Sequence, residues 1–333
     1  MARSRILRMA VPALVIHAGV SLAGLAQAQP TDAERAAAAT RTASTNLLCG
    51  ARVLGPFYWE IGRREGTLVS GSVTPRGSTV TITADTVLSV ASASKWVFAA
   101  YAIERFGNTA SARPFLNLTS GYSNFRTSDC PTDGTVAECL PGSRNRKEST
   151  AKMFHYDGGH MQQHAINIGL GPLDNVGLGV EISSILGTQP PITYAQPGIA
   201  GGISTTARDY SAFLRRLLVG AASPLKLGAQ LGTNPVCTMP SASCIAYKIA
   251  AVPEAWHYSV GHWIEDDPAT TPSSNFAYSS PGSFGFYPWV DTDRNVYGVV
   301  ARQTEAFTGV DEGHASVKCG RMIRLAWKTG VPQ

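Results

Sequence analysis

Ser92-Ala93-Ser94-Lys95 sets a hydroxyl three residues ahead of an amine, where a polar start gives way to a continuous helix-forming, apolar stretch that runs on to Ile103. On a helix, positions i and i+3 share a face, so Lys95 falls one turn above the Ser92 hydroxyl. An amine taken out of water there can accept the hydroxyl proton and turn the serine into a nucleophile. The free backbone N–H groups of a helix start favour the negative charge that develops. A plain helix start produces the same letters, so the pair acquires meaning only from what else the chain supplies and from the elements that hold it.

Other reactive residue types form weaker patterns. His160 and His164 are four apart and can share a helix face, but no third ligand is in view. Neither Cys-x-x-Cys nor His-Glu-x-x-His occurs, so no metal and no organic cofactor is expected. The six cysteines are even in number, as in an oxidising compartment. Cys130 and Cys139 bracket a Pro/Asp/Gly loop and Cys237 and Cys244 bracket another, which leaves Cys49 and Cys319 to pair if the terminal segments pack together.

The compartment is also written at the start. Arg3, Arg5 and Arg8 precede an apolar run over 9–25 and then Ala26-Gln27-Ala28, the pattern of a secretory signal peptide cleaved after Ala28. That run is too short and interrupted for a membrane span, and nothing later approaches the ~20 apolar residues a span needs. Residues 1–28 are therefore expected to leave as a signal peptide, and 29–333 to form one exported domain in the periplasm or outside the cell. The whole chain carries 28 basic and 23 acidic side chains. Without the three leader arginines the balance is nearly even, and no basic stripe with interleaved aromatics remains to bind nucleic acid.

The elements around Ser92 read as a mixed pattern. Residues 33–51 are alanine-rich and suit a helix. Residues 68–83 alternate around Pro75-Arg76-Gly77 and predict strand, turn and strand. From about 105 to 231 helices are separated by Gly, Pro and Asn breaks, the clearest at 207–218 with an apolar stripe of Tyr210, Phe213, Leu214, Leu217 and Leu218. Strand-like runs return at 260–264, 284–290 and 295–302, and a last helix covers 316–327. Strands at both ends enclosing a helical middle suggest an α/β lobe that the chain leaves and re-enters.

Five segments in order resemble the serine β-lactamase and penicillin-recognising family, in its branch of class C enzymes, esterases, D-alanyl-D-alanine carboxypeptidases and 6-aminohexanoate-dimer hydrolases. They are 85–95 around Ser92 and Lys95; Leu116-Asn117-Leu118-Thr119-Ser120-Gly121-Tyr122; the double-glycine segment 201–213; Tyr258-Ser259-Val260-Gly261-His262-Trp263; and 285–291. The resemblance implies an α/β (α+β) fold, an antiparallel sheet flanked by helices plus an all-helical subdomain over about 105–231. It also implies a catalytic tyrosine. Tyr122-Ser123-Asn124 matches the family's Tyr-x-Asn literally but belongs to the segment that precedes it, so Tyr156 in Tyr156-Asp157-Gly158 is the expected partner of Ser92 and Lys95.

The family's third motif, Lys-Thr-Gly or His-x-Gly, has a literal match at Lys328-Thr329-Gly330 that lies too near the end of the chain. Ser280-Pro281-Gly282 takes the position instead, with the backbone N–H of Ser283 as the expected second donor of an oxyanion hole beside the Ser92 N–H. Ser280 offers only a neutral hydroxyl where the family holds a carboxylate. The resemblance thus implies a serine hydrolase acting through a Ser92 acyl-enzyme on a small ester or amide, ahead of a β-lactam or a D-alanine terminus. The rival of another class is a binding protein that keeps the fold without the chemistry. Oligomeric state is not legible.

Overall fold

The computed structural model describes residues 29–142, 147, 149–188, 192–246, 252–304 and 310–333. The expected signal peptide, residues 1–28, lies outside them. The chain opens with α1 (Asp32–Thr45), whose first turn is fixed by a capping box between Thr31 and Glu34, and a short α2 (Ala51–Leu54). A hairpin of β1 (Phe57–Arg63) and β2 (Gly66–Val73) follows. Then come β3 (Leu88–Ser89), α3 (Ser94–Phe106), α4 (Arg113–Leu116), α5 (Gly159–Asn167) and α6 (Asn175–Leu186). The strands β4 (Thr193–Tyr194) and β5 (Ile203–Thr205) lead to α7 (Ala207–Arg215). The last part holds β6 (Val236–Cys237), β7 (His257–Ser259), β8 (His262–Ile264), β9 (Ala277–Ser279), β10 (Tyr287–Asp291), β11 (Tyr297–Ala301) and α8 (Val310–Thr329).

The main sheet runs β2-β1-β11-β10-β9-β8-β7-β6, antiparallel at each recorded pairing, so strands from both ends of the chain meet in its middle. α1 and α8 cover one face and α7 packs on the other against β1, β10 and β11. Because β1 is covered on both faces, Phe57 to Ile61 are all buried, and the run carries no period-2 signal. That is why the sequence pattern misplaces this hairpin. β2, at the edge, keeps the alternation, but it pairs backwards with β1 across Arg64-Glu65, not forwards across Pro75-Arg76-Gly77. A second divergence is the run 260–264, which is a hairpin turn and not one strand: Val260 and Gly261 both have positive φ, and β7 pairs with β8 across them. The helical middle also contains two short strands, β4 and β5, which join β3 in a small three-stranded sheet.

All three expected cysteine pairs are bonded. Cys49–Cys319 joins partners 270 residues apart and fastens the segment after α1 to α8. Beneath the sheet α8 is also held by buried charge. Arg324 and Arg321 both reach Glu265, Arg321 also forks onto both oxygens of Glu254, and His314 Nε2 shares one of them, Oε1, at 2.6 Å. Tyr287 donates its hydroxyl to Glu265 at 2.6 Å. Burial pushes the Glu265 carboxyl up, but the two guanidinium charges outweigh it and hold it below its ordinary value.

Candidate active site

Ser92 sits just ahead of α3, in a 3₁₀ turn over Ala91–Ala93, and not on the α-helix itself. In such a turn residues i and i+3 eclipse, and the Lys95 ammonium nitrogen lies 2.9 Å from Ser92 Oγ. The turn is bent sharply: Ala91 has φ 43°, a region a non-glycine residue seldom occupies. It persists because it is tied on every side. Val90 N–H donates to Ile203 O at 3.1 Å, Ser94 Oγ accepts Ile203 N–H at 3.2 Å, and Tyr210 Oη donates to Ala93 O at 2.9 Å. β5 and α7, built from the double-glycine segment, are thus the backing of the Ser92 turn.

Lys95 is buried, 4 % exposed. Its other hydrogen bond goes to the carbonyl of Ala200 at 3.0 Å, and among the described residues no carboxylate is in ion-pair contact with it. Gly261 permits this packing, since a Cβ there would stand 2.4 Å from Ala99 Cβ and 3.0 Å from Lys95 O. Asn117 holds the same turn by accepting Val260 N–H at 2.7 Å.

Tyr156 meets Lys95 through its ring: Nζ lies 4.8 Å from the ring centroid. Trp263, Tyr258 and Phe154 surround that ring at 5.1, 6.1 and 6.5 Å between centroids. Asp157 turns its Oδ1 toward the backbone N–H groups of Gly159 (2.7 Å) and Phe125 (3.2 Å). It thereby anchors both the start of α5 and the loop that carries Phe125, while burial raises its pKa against those two bonds.

The turn 280–286 closes the other side. Ser280 is buried and donates its hydroxyl to the carbonyl of Ser92 itself at 3.2 Å, so it braces the turn that carries Ser92. Gly282 is packed so closely that a Cβ would lie 2.1 Å from Val90 O, and its N–H is bound to Phe286 O at 2.8 Å. Ser283 is the member of this trio that borders the cavity in front of Ser92, a space of about 250 Å³ also lined by Lys95, Phe125, Thr127, Gln196, Ala200 and Phe284. Lys95 is the one charged side chain among the lining residues.

The two histidines that share α5 do not converge. His160 accepts the Ser120 hydroxyl on Nδ1 at 2.7 Å and donates from Nε2 to His155 O at 3.0 Å, while His164 lies flat on Phe115. Burial depresses their pKa values to about 3 and about 4. Tyr122 is stacked on Phe115 at 5.9 Å, and Lys328 caps the end of the strand-connecting segment through Ser274 O.

Structural comparison identifies the fold that holds this pair. The chain has the β-lactamase and penicillin-binding-protein fold. It is similar to a β-lactamase/D-alanine carboxypeptidase from Yersinia pestis solved with citrate, at 12 % identity over 88 % of this chain and 99 % of that one, TM-score 0.61. EstCE1, a hydrolase with promiscuous acyltransferase activity, aligns at 13 % identity over 86 % and 99 % of the two chains, TM-score 0.57. A D-amino acid amidase from Ochrobactrum anthropi SV3, solved with D-phenylalanine, aligns at 14 % identity over 83 % and 95 %, TM-score 0.56. No protein-family profile matches the chain, and no curated protein matches it in sequence.

Sequence reasoning did not find the Ala200 carbonyl, because a backbone acceptor has no side-chain signature. It also passed over Phe125, Thr127, Gln196 and Phe284, which reach the cavity from loops with no periodicity to mark them.

Proposed function

We propose that the protein is an exported serine hydrolase that cleaves a small, uncharged-tail ester or amide through an acyl-enzyme on Ser92. The observation that carries this reading is the Lys95 Nζ to Ser92 Oγ contact, made by a buried amine whose other partner is a neutral carbonyl. The amine is set directly against the hydroxyl whose proton it would accept, and the carboxyl of Asp157 lies beyond ion-pair contact but close enough to interact with it electrostatically. The Ser92 oxygen attacks the substrate carbonyl, the C–O or C–N bond to the leaving group breaks, and the proton taken by Lys95 is passed to the leaving group. Tyr156 is the candidate for relaying it. Water then attacks the acyl-enzyme, with its proton moving back along the same path. The N–H groups of Ser92 and Ser283 are the proposed oxyanion donors.

An uncharged tail fits the cavity lining, where no arginine and no second lysine stands ready to hold a carboxylate. A buried carboxylate without such a partner loses far more than one neutral hydrogen bond. The leader pattern and the three disulfides support export to the periplasm or the exterior. The test is intact-mass analysis after treatment with a fluorophosphonate, followed by kcat/KM for a nitrophenyl ester, a small amide and a chromogenic cephalosporin. One adduct on the wild type and none on Ser92→Ala is expected, with the cephalosporin turned over about a hundredfold more slowly than the ester, equivalent to roughly 2.7 kcal/mol. Labelling that survives Ser92→Ala removes Ser92 from its role, and a faster cephalosporin reverses the substrate reading in favour of a lactamase.

A further inference from the structure

Gln162, on the first turn of α5, is fully buried yet is neither part of the nucleophile's turn nor a lining residue of the cavity. Its carboxamide makes three hydrogen bonds. Nε2 donates to Val136 O at 2.8 Å and to Pro197 O at 3.1 Å, and Oε1 accepts Ile199 N–H at 2.9 Å. Both amide hydrogens and one lone pair are thus used, as burial demands of a side chain that cannot reach water.

The partners are informative. Pro197 and Ile199 flank Gly198, and gripping a carbonyl on one side and an N–H on the other fixes the orientation of that peptide segment. The residue after Ile199 is Ala200, whose carbonyl is the acceptor for Lys95 at 3.0 Å. On its far side the chain is held again, because Gly201 and Gly202 both donate to Gly198 O, at 3.2 and 2.7 Å. Ala200 is therefore clamped between a turn closed on Gly198 and an anchor made by Gln162. Gln196, Gly198, Ala200, Gly201 and Gly202 from this same loop line the cavity before Ser92. Among the described residues no other hydrogen bond joins α5 to 197–199 or to Val136, which lies in the Cys130–Cys139 loop.

Building on the hydrolase reading above, we infer that Gln162 is a positioning residue for the catalytic base: it aims the Ala200 carbonyl at Lys95 and so fixes the amine on Ser92. An apolar side chain of similar length would fill the same space but leave three buried backbone groups unpaired, and the segment would relax by rotating its peptides.

The experiment compares fluorophosphonate labelling rates of Ser92 across pH in the wild type, Gln162→Met and Gln162→Glu, with hydrogen exchange of the 195–202 peptide measured alongside. Gln162→Met is expected to label at least tenfold more slowly at every pH, with faster exchange confined to 195–202. Gln162→Glu supplies a donor only when its carboxyl is protonated, so its rate relative to the wild type at the same pH should recover as pH falls. That recovery is a signature a merely structural role would not give, and it decides the matter if Gln162→Met does not fold. Wild-type labelling rates in Gln162→Met, or a Gln162→Glu ratio independent of pH, overturn the inference. A wild type that the probe never labels overturns the hydrolase reading instead, and the exchange of 195–202 then shows independently whether Gln162 anchors the loop.

Discussion

Lys95 and the pair Arg321 and Arg324 are all cationic side chains withdrawn from water, and their surroundings differ in kind. The arginines face Glu254 and Glu265 and lie over the rings of Trp256 and Trp289 at 4.9 and 5.0 Å. Their charge is matched, hydrogen-bonded and fixed, and it serves to seat α8 on the sheet. Lys95 has a hydroxyl, a carbonyl and the face of Tyr156. Matching the buried charges makes a joint; the amine is instead set against the hydroxyl that the proposed chemistry needs. The same chain builds both, and substitutions should separate them.

Lys95→Met tests the unmatched side, and the expected loss in kcat/KM for an ester is on the order of 10²- to 10⁴-fold with little change in melting temperature. Activity within tenfold of the wild type would mean that another group takes the serine proton. Glu265→Gln tests the matched side: leaving two guanidinium groups short of a carboxylate should lower the unfolding free energy by roughly 3–5 kcal/mol, while the activity of the molecules that remain folded is unchanged. Denaturant melts and active-site titration on one preparation give both numbers.

Tyr156→Phe sharpens the comparison from within the site. It keeps the ring against Lys95 and removes the hydroxyl, so a loss on the order of a hundredfold in kcat assigns the proton relay to the phenol. Near-wild-type turnover would assign Tyr156 the part of a wall.

The smallest effect expected comes from groups in neither camp. His160, His164 and His262 are held neutral by burial, at about pH 3, 4 and 3 respectively. The unfolded chain binds protons at these side chains from about pH 6.5 downward while the native state does not, so their contribution is fully present above pH 6.5 and is lost as pH falls toward those values. His164, whose Nε2 is buried without a partner, gives the cleanest test. His164→Phe should flatten the slope of stability between pH 6 and 5 by about 1.4 kcal/mol per pH unit at most; an unchanged slope would show that His164 titrates normally.

Much of this was readable beforehand where chemistry resides in side-chain type and spacing. Ser92 and Lys95 meet as their spacing implies, and the cysteine pairs close as bracketing and elimination suggest. The α/β sheet built from both chain ends follows from the order of the segments. What escaped has a common physical reason. β1 is buried on both faces and so shows no alternation, the turn at Val260-Gly261 depends on a glycine packed against α3, and Ser280 does its work through a contact with the Ser92 carbonyl across the fold. Ala200 contributes a backbone atom, and Gln162 reads as a polar residue in a short helix until its three partners are seen.

The bond between Cys49 and Cys319 sets an order of events during synthesis. Cys49 is the first of the six cysteines in the chain and Cys319 the last, so four other thiols lie between Cys49 and its partner. Six cysteines allow 15 complete pairings. Cys130 and Cys139, nine residues apart, and Cys237 and Cys244, seven apart, can find one another locally as each pair emerges, which withdraws them from competition before α8 exists. Once the two short loops have closed, four wrong partners are gone, and the thiol left for Cys49 is the one that the docking of α8 brings to it.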